Sequence, residues 1–453
     1  MENREQLGSR IGFILLSAGC AIGCGNVWKF PWMVGQYGGG AFVLVYLVFL
    51  LILGVPVMTM EFAIGRAAQK SPARMYQQLE PAGTKWHVHG YASLIGNIVL
   101  MMFYTVVAGW MLNYFLKTVT GTFEGLDPAG VGGVFGTMLS NPWENILFMG
   151  IIVLLAAIVE SFSLKAGLES ISKYMMLVLF ALMVALVVHS FTLPGAREGL
   201  AFYLVPHFEK ITPEVVARAM NQACFTLSLG IGAMAIFGSY IGKDRALMGE
   251  SVHVIALDTL VAIMAGLIIF PACFTYGVQP DSGPSLIFVT LPNVFNHMSF
   301  GRLWGSLFFL FMTFAAFSTI LAVFEVILAC LKEMTGWSRR KAALITGVGL
   351  FVLSIPCALG FNVWAGFEPL GPGKGILDLE DYVVEYLLLP LGSLVYVFFV
   401  TSRYGWGWDR FVKEANTGKG LKVRPWMRGY VKFVLPVIIL VVFVIGQVFF
   451  FLG

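Results

Sequence analysis

Charge is what this sequence has least of. Asp, Glu, Lys and Arg make up 12% of its 453 residues, about half the share of a soluble domain, which argues against a soluble enzyme. The formal net charge of +4 is too small to imply a nucleic-acid partner. Six cysteines, Cys20, Cys24, Cys224, Cys273, Cys330 and Cys357, all fall in apolar stretches and never in CxxC spacing. Neither a disulfide framework nor a zinc site is therefore expected, and the thiols read as small buried hydrophobes. The opening MENREQLGSR runs straight into IGFILLSAGCAIG with no signal-peptide layout, so no cleavage is expected. No Ser/His/Asp, paired-Asp or HExxH constellation stands among the apolar stretches, which speaks against an intramembrane enzyme. A channel is disfavoured too, because no continuous polar lining or charge ring is present.

What the sequence has in abundance is hydrophobic length. Apolar residues make up 58% of the chain, with 39 Phe, 15 Tyr and 11 Trp, the aromatic excess of lipid-facing surfaces and interfacial belts. Runs near the ~20 residues needed to cross a bilayer predict eleven transmembrane helices. They lie near 11–37, 40–66, 88–118, 144–160, 165–191, 214–240, 251–278, 301–333, 340–358, 376–402 and 429–452. With the N-terminus inside, the loops that become cytoplasmic hold about 22 of the 29 Lys and Arg residues, which sets the orientation by the positive-inside rule. The odd count puts the C-terminus outside. A multi-pass protein of the cell membrane is expected, with 192–213 and 279–300 forming short caps over an external mouth.

The first run reads LLSAGCAIGCGNVWKFPW, with Gly19, Gly23 and Gly25 close together and Asn26 and Lys29 following. Backbone groups left unpaired in lipid cost several kcal/mol each, so a break there must line a protein cavity or bind something. The sixth run repeats the theme in FTLSLGIGAMAIFGSY, where Thr226 and Ser228 precede Gly230 and Gly232. Two such breaks at corresponding positions of two five-helix halves point to a transporter of inverted repeats, 11–191 and 214–404, with 429–452 added as an eleventh helix. The competing reading is a pair of Gly-rich packing faces. Polar residues beside both breaks favour a site. Free amides near Cys24 and Gly25 suit a carboxylate, and free carbonyls around Gly19 to Ile22 suit sodium or an ammonium group.

GNVWKFPW with the following GGGAF, then EFAIGR at 61–66 and FTLSLG at 225–230, resembles the neurotransmitter:sodium symporter family in its bacterial leucine-transporter branch. The likeness runs in order over about residues 4 to 404. It implies an all-α, leucine-transporter-type 5+5 inverted repeat with unwound first and sixth helices, and sodium-coupled symport of amino acids. By this resemblance one sodium is held by the Ala21 carbonyl, Asn26, Thr226 and the substrate carboxylate. Aligning AGLIIF of the seventh helix adds Asp258 to that set. A second sodium takes the carbonyls of Gly19, Ile22 and Ala315 with the hydroxyls of Ser318 and Thr319, an oxygen-only set suited to a hard cation.

The substrate ammonium is expected at Ala21, Phe225, Thr226 and Ser228, and its carboxylate at the Cys24 and Gly25 amides and the Tyr104 hydroxyl. Leu100, Val107, Phe225, Ile231, Thr319 and Val323 then line the side-chain pocket. That lining carries no charge, which implies hydrophobic L-amino acids, aliphatic and aromatic. Lys29 and Asp381 are expected to close the outside above Phe225, and Arg4 and Glu333 the inside near Tyr240. No chloride requirement is expected, since the Asp258 carboxylate can supply the negative charge. Gly167 is followed ten positions on by Leu177, where the family commonly has Pro, so inward opening is expected to be harder. A proton-coupled or exchange-type amino-acid carrier of the same architecture is the alternative, in which Asn26, Thr226, Ser318 and Thr319 would have no cation to hold.

Overall fold

The computed structural model describes residues 7–277 and 285–452, and Arg4 of the expected inner gate lies outside them. Helices carry almost the whole described chain, and an isolated bridge between Arg245 and Lys419 is the nearest approach to a strand among those residues. Nine helices are long and apolar enough to span a membrane. They are Gly40–Ala68, His87–Val119, Pro142–Ser161, Gly167–Ser190, Leu247–Thr275, Gly301–Thr335, Arg339–Leu359, Ile376–Thr401 and Met427–Phe451. A tenth candidate is the pair Arg10–Ala21 and Gly25–Gln36, bent by 52° at the expected break. The sixth run is Pro213–Thr226 and Ala233–Gly238, two pieces that do not meet the length test themselves. The expected count of eleven therefore exceeds by one what length and composition establish.

Burial sorts these helices. Within the third and eighth spans, His87–Val119 and Gly301–Thr335, 72% and 78% of the most apolar stretch is buried, against 28–33% in the fourth, fifth and eleventh. The third and eighth therefore form the interior, and the two broken helices lie against them. Side-chain caps start several helices: Ser9 accepts from the Gly12 amide, Asn141 from Glu144 and Thr212 from Val215. Outside the membrane core, Ala196–Leu204 packs on the seventh span, where Tyr203 Oη donates to the carbonyls of Ala262 and Ile263. Leu291–His297 supplies a second short external helix. Both answer to the expected caps, whereas the helix Pro128–Ser140 on the same side was not foreseen. Leu177 sits in an unbroken helix, Ser170–Ser190, with its side chain exposed.

Candidate substrate and sodium sites

Both breaks are built from close approach. The first helix stops at Ala21, and the chain turns extended at Ile22 before resuming at Gly25. A Cβ on Gly23 would lie 2.0 Å from Tyr104 Oη and 2.3 Å from Thr319 Oγ1, so only glycine lets the third and eighth helices reach the broken backbone. In the sixth helix the break runs through Ser228, Gly230 and Gly232 at φ values of 50°, 95° and 75°. A Cβ on Gly230 would stand 2.3 Å from the Leu389 carbonyl oxygen. The freed backbone groups are met by buried side chains. Glu61 Oε1 accepts from the Gly230 amide at 2.6 Å, Asn97 donates to the Ile231 carbonyl at 2.8 Å, and Gln222 donates to the Gly25 carbonyl at 2.7 Å.

Oxygen atoms gather at two points beside the first break. At the deeper one, Ser318 Oγ lies 3.1 Å from the Ile22 carbonyl and 2.9 Å from that of Ala315. Thr319 Oγ1 lies 3.3 Å from Gly19 O and 3.2 Å from Ile22 O. All five oxygens expected around the second sodium thus converge, with no nitrogen or sulfur among them. This composition fits a hard monovalent cation.

At the other point Thr226 Oγ1 stands 3.0 Å from Asn26 Oδ1 and 3.2 Å from Asp258 Oδ1. Asn26 donates to Asp258 Oδ1 at 2.8 Å, and Tyr46 Oη lies 3.5 Å from Oδ2. Ala21 ends its helix, so its carbonyl has no intrahelical partner. Asp258 is fully buried. Its seventh-helix position therefore puts a fixed carboxylate within the first oxygen cluster.

Between the clusters lies a cavity of about 10 Å³, lined by Ala21, Gly25, Leu100, Tyr104, Phe225, Thr226, Ser228, Ile231 and Thr319 among the expected residues. Cys20, Val384 and Leu389 complete the lining without having been expected there. That volume holds about one water, so a hydrophobic amino acid must spread these side chains on entry. Three expected residues stand elsewhere. Cys24 and Val107 line a separate outer cavity of about 190 Å³, on the far side of the Phe225 ring, which faces both spaces. Val323 is buried but is not part of the inner lining. The Cys24 amide nevertheless points as expected, donating to Tyr104 Oη at 2.6 Å.

Above Phe225, Lys29 Nζ lies 2.8 Å from Asp381 Oδ2 and 4.6 Å from the ring centroid. Lys29 also pairs with Glu385, a partner not foreseen, one helical turn beyond Asp381. On the inner side Glu333 accepts from the Ser71 amide and hydroxyl at 3.0 and 2.7 Å. Tyr240 does not close on Glu333 but donates to Glu325 at 2.5 Å. Arg339 pairs with both Glu325 and Glu160 at 2.6 Å, and both acids are buried.

A helical membrane protein with two interrupted helices around a small apolar cavity, flanked by oxygen clusters and closed by ion pairs, is an ion-coupled secondary transporter. The Sodium:neurotransmitter symporter family matches residues 4–125 and 140–451, and the chain belongs to that family. An uncharacterized sodium-dependent transporter, YhdH, of Bacillus subtilis (strain 168) is 34% identical over 97% of this chain and 96% of its own length. A sodium-dependent serotonin transporter of Drosophila melanogaster is 25% identical, covering 97% of this chain and 76% of its own. The crystal structure of MhsT in complex with L-phenylalanine superposes with a TM-score of 0.89 at 37% identity, covering 98% of this chain and all of that one. The protein is accordingly a multi-pass, sodium-dependent transporter and not an enzyme.

Proposed function

We propose that this transporter carries hydrophobic L-amino acids, aliphatic and aromatic, into the cell together with sodium by alternating access. The observation that carries the reading is the uncharged cavity wedged between two oxygen clusters at the meeting of the broken helices. A zwitterion set there offers its carboxylate to the first cluster, so that sodium and substrate each strengthen the other's binding. The pairwise contacts among Gly19, Ile22, Ala315, Ser318 and Thr319 support a second sodium site. A solved relative bound to L-phenylalanine supports the substrate class. The same proposal includes repeats at 11–191 and 214–404, the eleventh helix at 429–452, a cytoplasmic N-terminus and an external C-terminus.

Uptake of radiolabelled Leu, Phe and Trp into proteoliposomes with and without a sodium gradient tests it. Asn26→Ala and Ser318→Ala are each expected to raise the half-saturating sodium concentration tenfold or more, about 1.4 kcal/mol. Equal substrate affinity in sodium and in potassium or choline would sink the reading.

Lys29 and its two acids are proposed as the outer closure. Lys29→Ala leaves Asp381 and Glu385 facing each other without a cation, whereas Asp381→Ala leaves the Lys29–Glu385 pair. Lys29→Ala is therefore expected to impair transport more. A double-mutant cycle on transport should give a coupling of about 0.5–3 kcal/mol between Lys29 and Asp381. Additive losses would remove both from the gate.

A further inference from the structure

On the outer half of the molecule, away from the substrate path, the third, ninth and tenth helices and the loop at 360–375 enclose a second large space. Its volume is about 740 Å³, within the range of small-molecule sites. Val99, Met102, Pro356, Trp364, Phe367 and Leu379 line it, and Glu380 is the one charged residue in the wall. Glu380 is only 5% exposed, and neither carboxylate oxygen has a hydrogen-bond partner among the described residues. The Cys357 thiol stands beside it, a weak donor. Lys374, earlier in the same segment, is turned elsewhere: it donates to the Phe450 carbonyl at 3.0 Å and lies over the Phe450 ring. A buried carboxylate without a cation is costly and calls for one.

We propose that this cavity is a binding site for lipophilic amines, in which one ammonium group meets Glu380 and an aryl or alkyl body fills the apolar space. The lining contains no Lys, Arg or His. The carboxylate of an amino acid or the phosphate of a phospholipid would therefore enter without a partner, and a monoamine with no acid group is the favoured occupant. Val363, Trp364 and Phe367 are exposed at the mouth, giving an amphipathic cation an apolar way in from the outer interface.

The site backs directly onto the transport path. Val99 lines it while Leu100 lines the substrate cavity, and Val383 lines it while Val384 lines the substrate cavity. Glu380 is followed by Asp381, the partner of Lys29. An amine bound behind the tenth helix biases the helix that carries the outer closure, and so slows uptake without competing with substrate.

The test measures equilibrium binding of radiolabelled 4-phenylbutylamine to the full-length protein in phosphatidylcholine nanodiscs. Saturable binding is expected, unchanged by saturating L-phenylalanine with sodium and not displaced by 4-phenylbutanol. Glu380→Gln should weaken it tenfold or more while sodium-driven uptake persists. Phe367→Ala, at the exposed mouth, should weaken it severalfold and carries the test if Glu380→Gln does not fold. Unchanged binding in the folded variants, displacement by L-phenylalanine, or equal competition by the alcohol would overturn the proposal. So would native mass spectrometry showing phosphatidylethanolamine held by the wild type and lost from Glu380→Gln, which would assign the carboxylate to a lipid headgroup.

Discussion

Asp258→Asn is expected to abolish sodium-driven uptake in chloride-free buffer, with partial recovery as chloride is added, while wild-type uptake ignores chloride. The carboxylate is fully buried, accepts from Asn26 at 2.8 Å and from Thr226 at 3.2 Å, and has only Tyr46 behind it. A sodium ion among these oxygens is balanced by that one fixed charge in addition to the substrate carboxylate. Removing it leaves an uncompensated cation where the dielectric is low and interaction energies are large. The amide preserves shape and one acceptor, so the loss reports charge and not packing. Uptake measured against external chloride decides the matter. Wild-type sodium dependence in Asp258→Asn, still indifferent to chloride, would show that the carboxylate has no such role.

Arg339→Ala is expected to destabilise the protein by about 3–5 kcal/mol, the usual cost of stripping the partner from a buried charge. Here two acids are stranded at once, because Glu160 and Glu325 both lie 2.6 Å from the same guanidinium. Arg339 also donates to the carbonyls of Glu160 and Phe162 at the end of the fourth span, at 2.9 and 2.5 Å. Adding Glu160→Gln and Glu325→Gln removes the stranded charge and should restore more than half of the lost thermal stability. Thermal unfolding in detergent provides the measurement. An Arg339→Ala protein as stable as the wild type would mean that the cluster is solvated and is not a structural lock.

The parts of this molecule legible in the sequence are those where chemistry is expensive in lipid. Glycine clusters beside Asn26 and Thr226 announced both breaks, since unpaired backbone at that depth needs a reason, and the five oxygens of the deeper cluster were all named in advance. Position along a helix was legible only to about a turn. Cys24 and Val107 belong outside Phe225, and Tyr240 engages Glu325, two turns from Glu333 on the same helix. Glu385 was within reach of inspection, since it follows Asp381 at four-residue spacing on one helical face. Glu61 stood inside the quoted EFAIGR, yet its partner, the Gly230 amide, is 169 residues away and no local pattern reveals it. Val384 and Leu389 read like any lipid-facing residues, because apolar side chains in a membrane helix carry no mark of which neighbour they face.

The contact between the Cys24 amide and Tyr104 Oη bears on how affinity is partitioned at the carboxylate end of the site. In that contact the phenol is the acceptor. Toward a carboxylate it must be the donor, so its proton swings round as the amide changes partner. Tyr104→Phe consequently deletes one bond from the resting protein and one from the loaded protein. The amide is left free to meet the carboxylate without first giving up the phenol. The measured affinity loss therefore reports the difference between two hydrogen bonds, and it should fall below the 1.5–3 kcal/mol typical of a bond to a charged group.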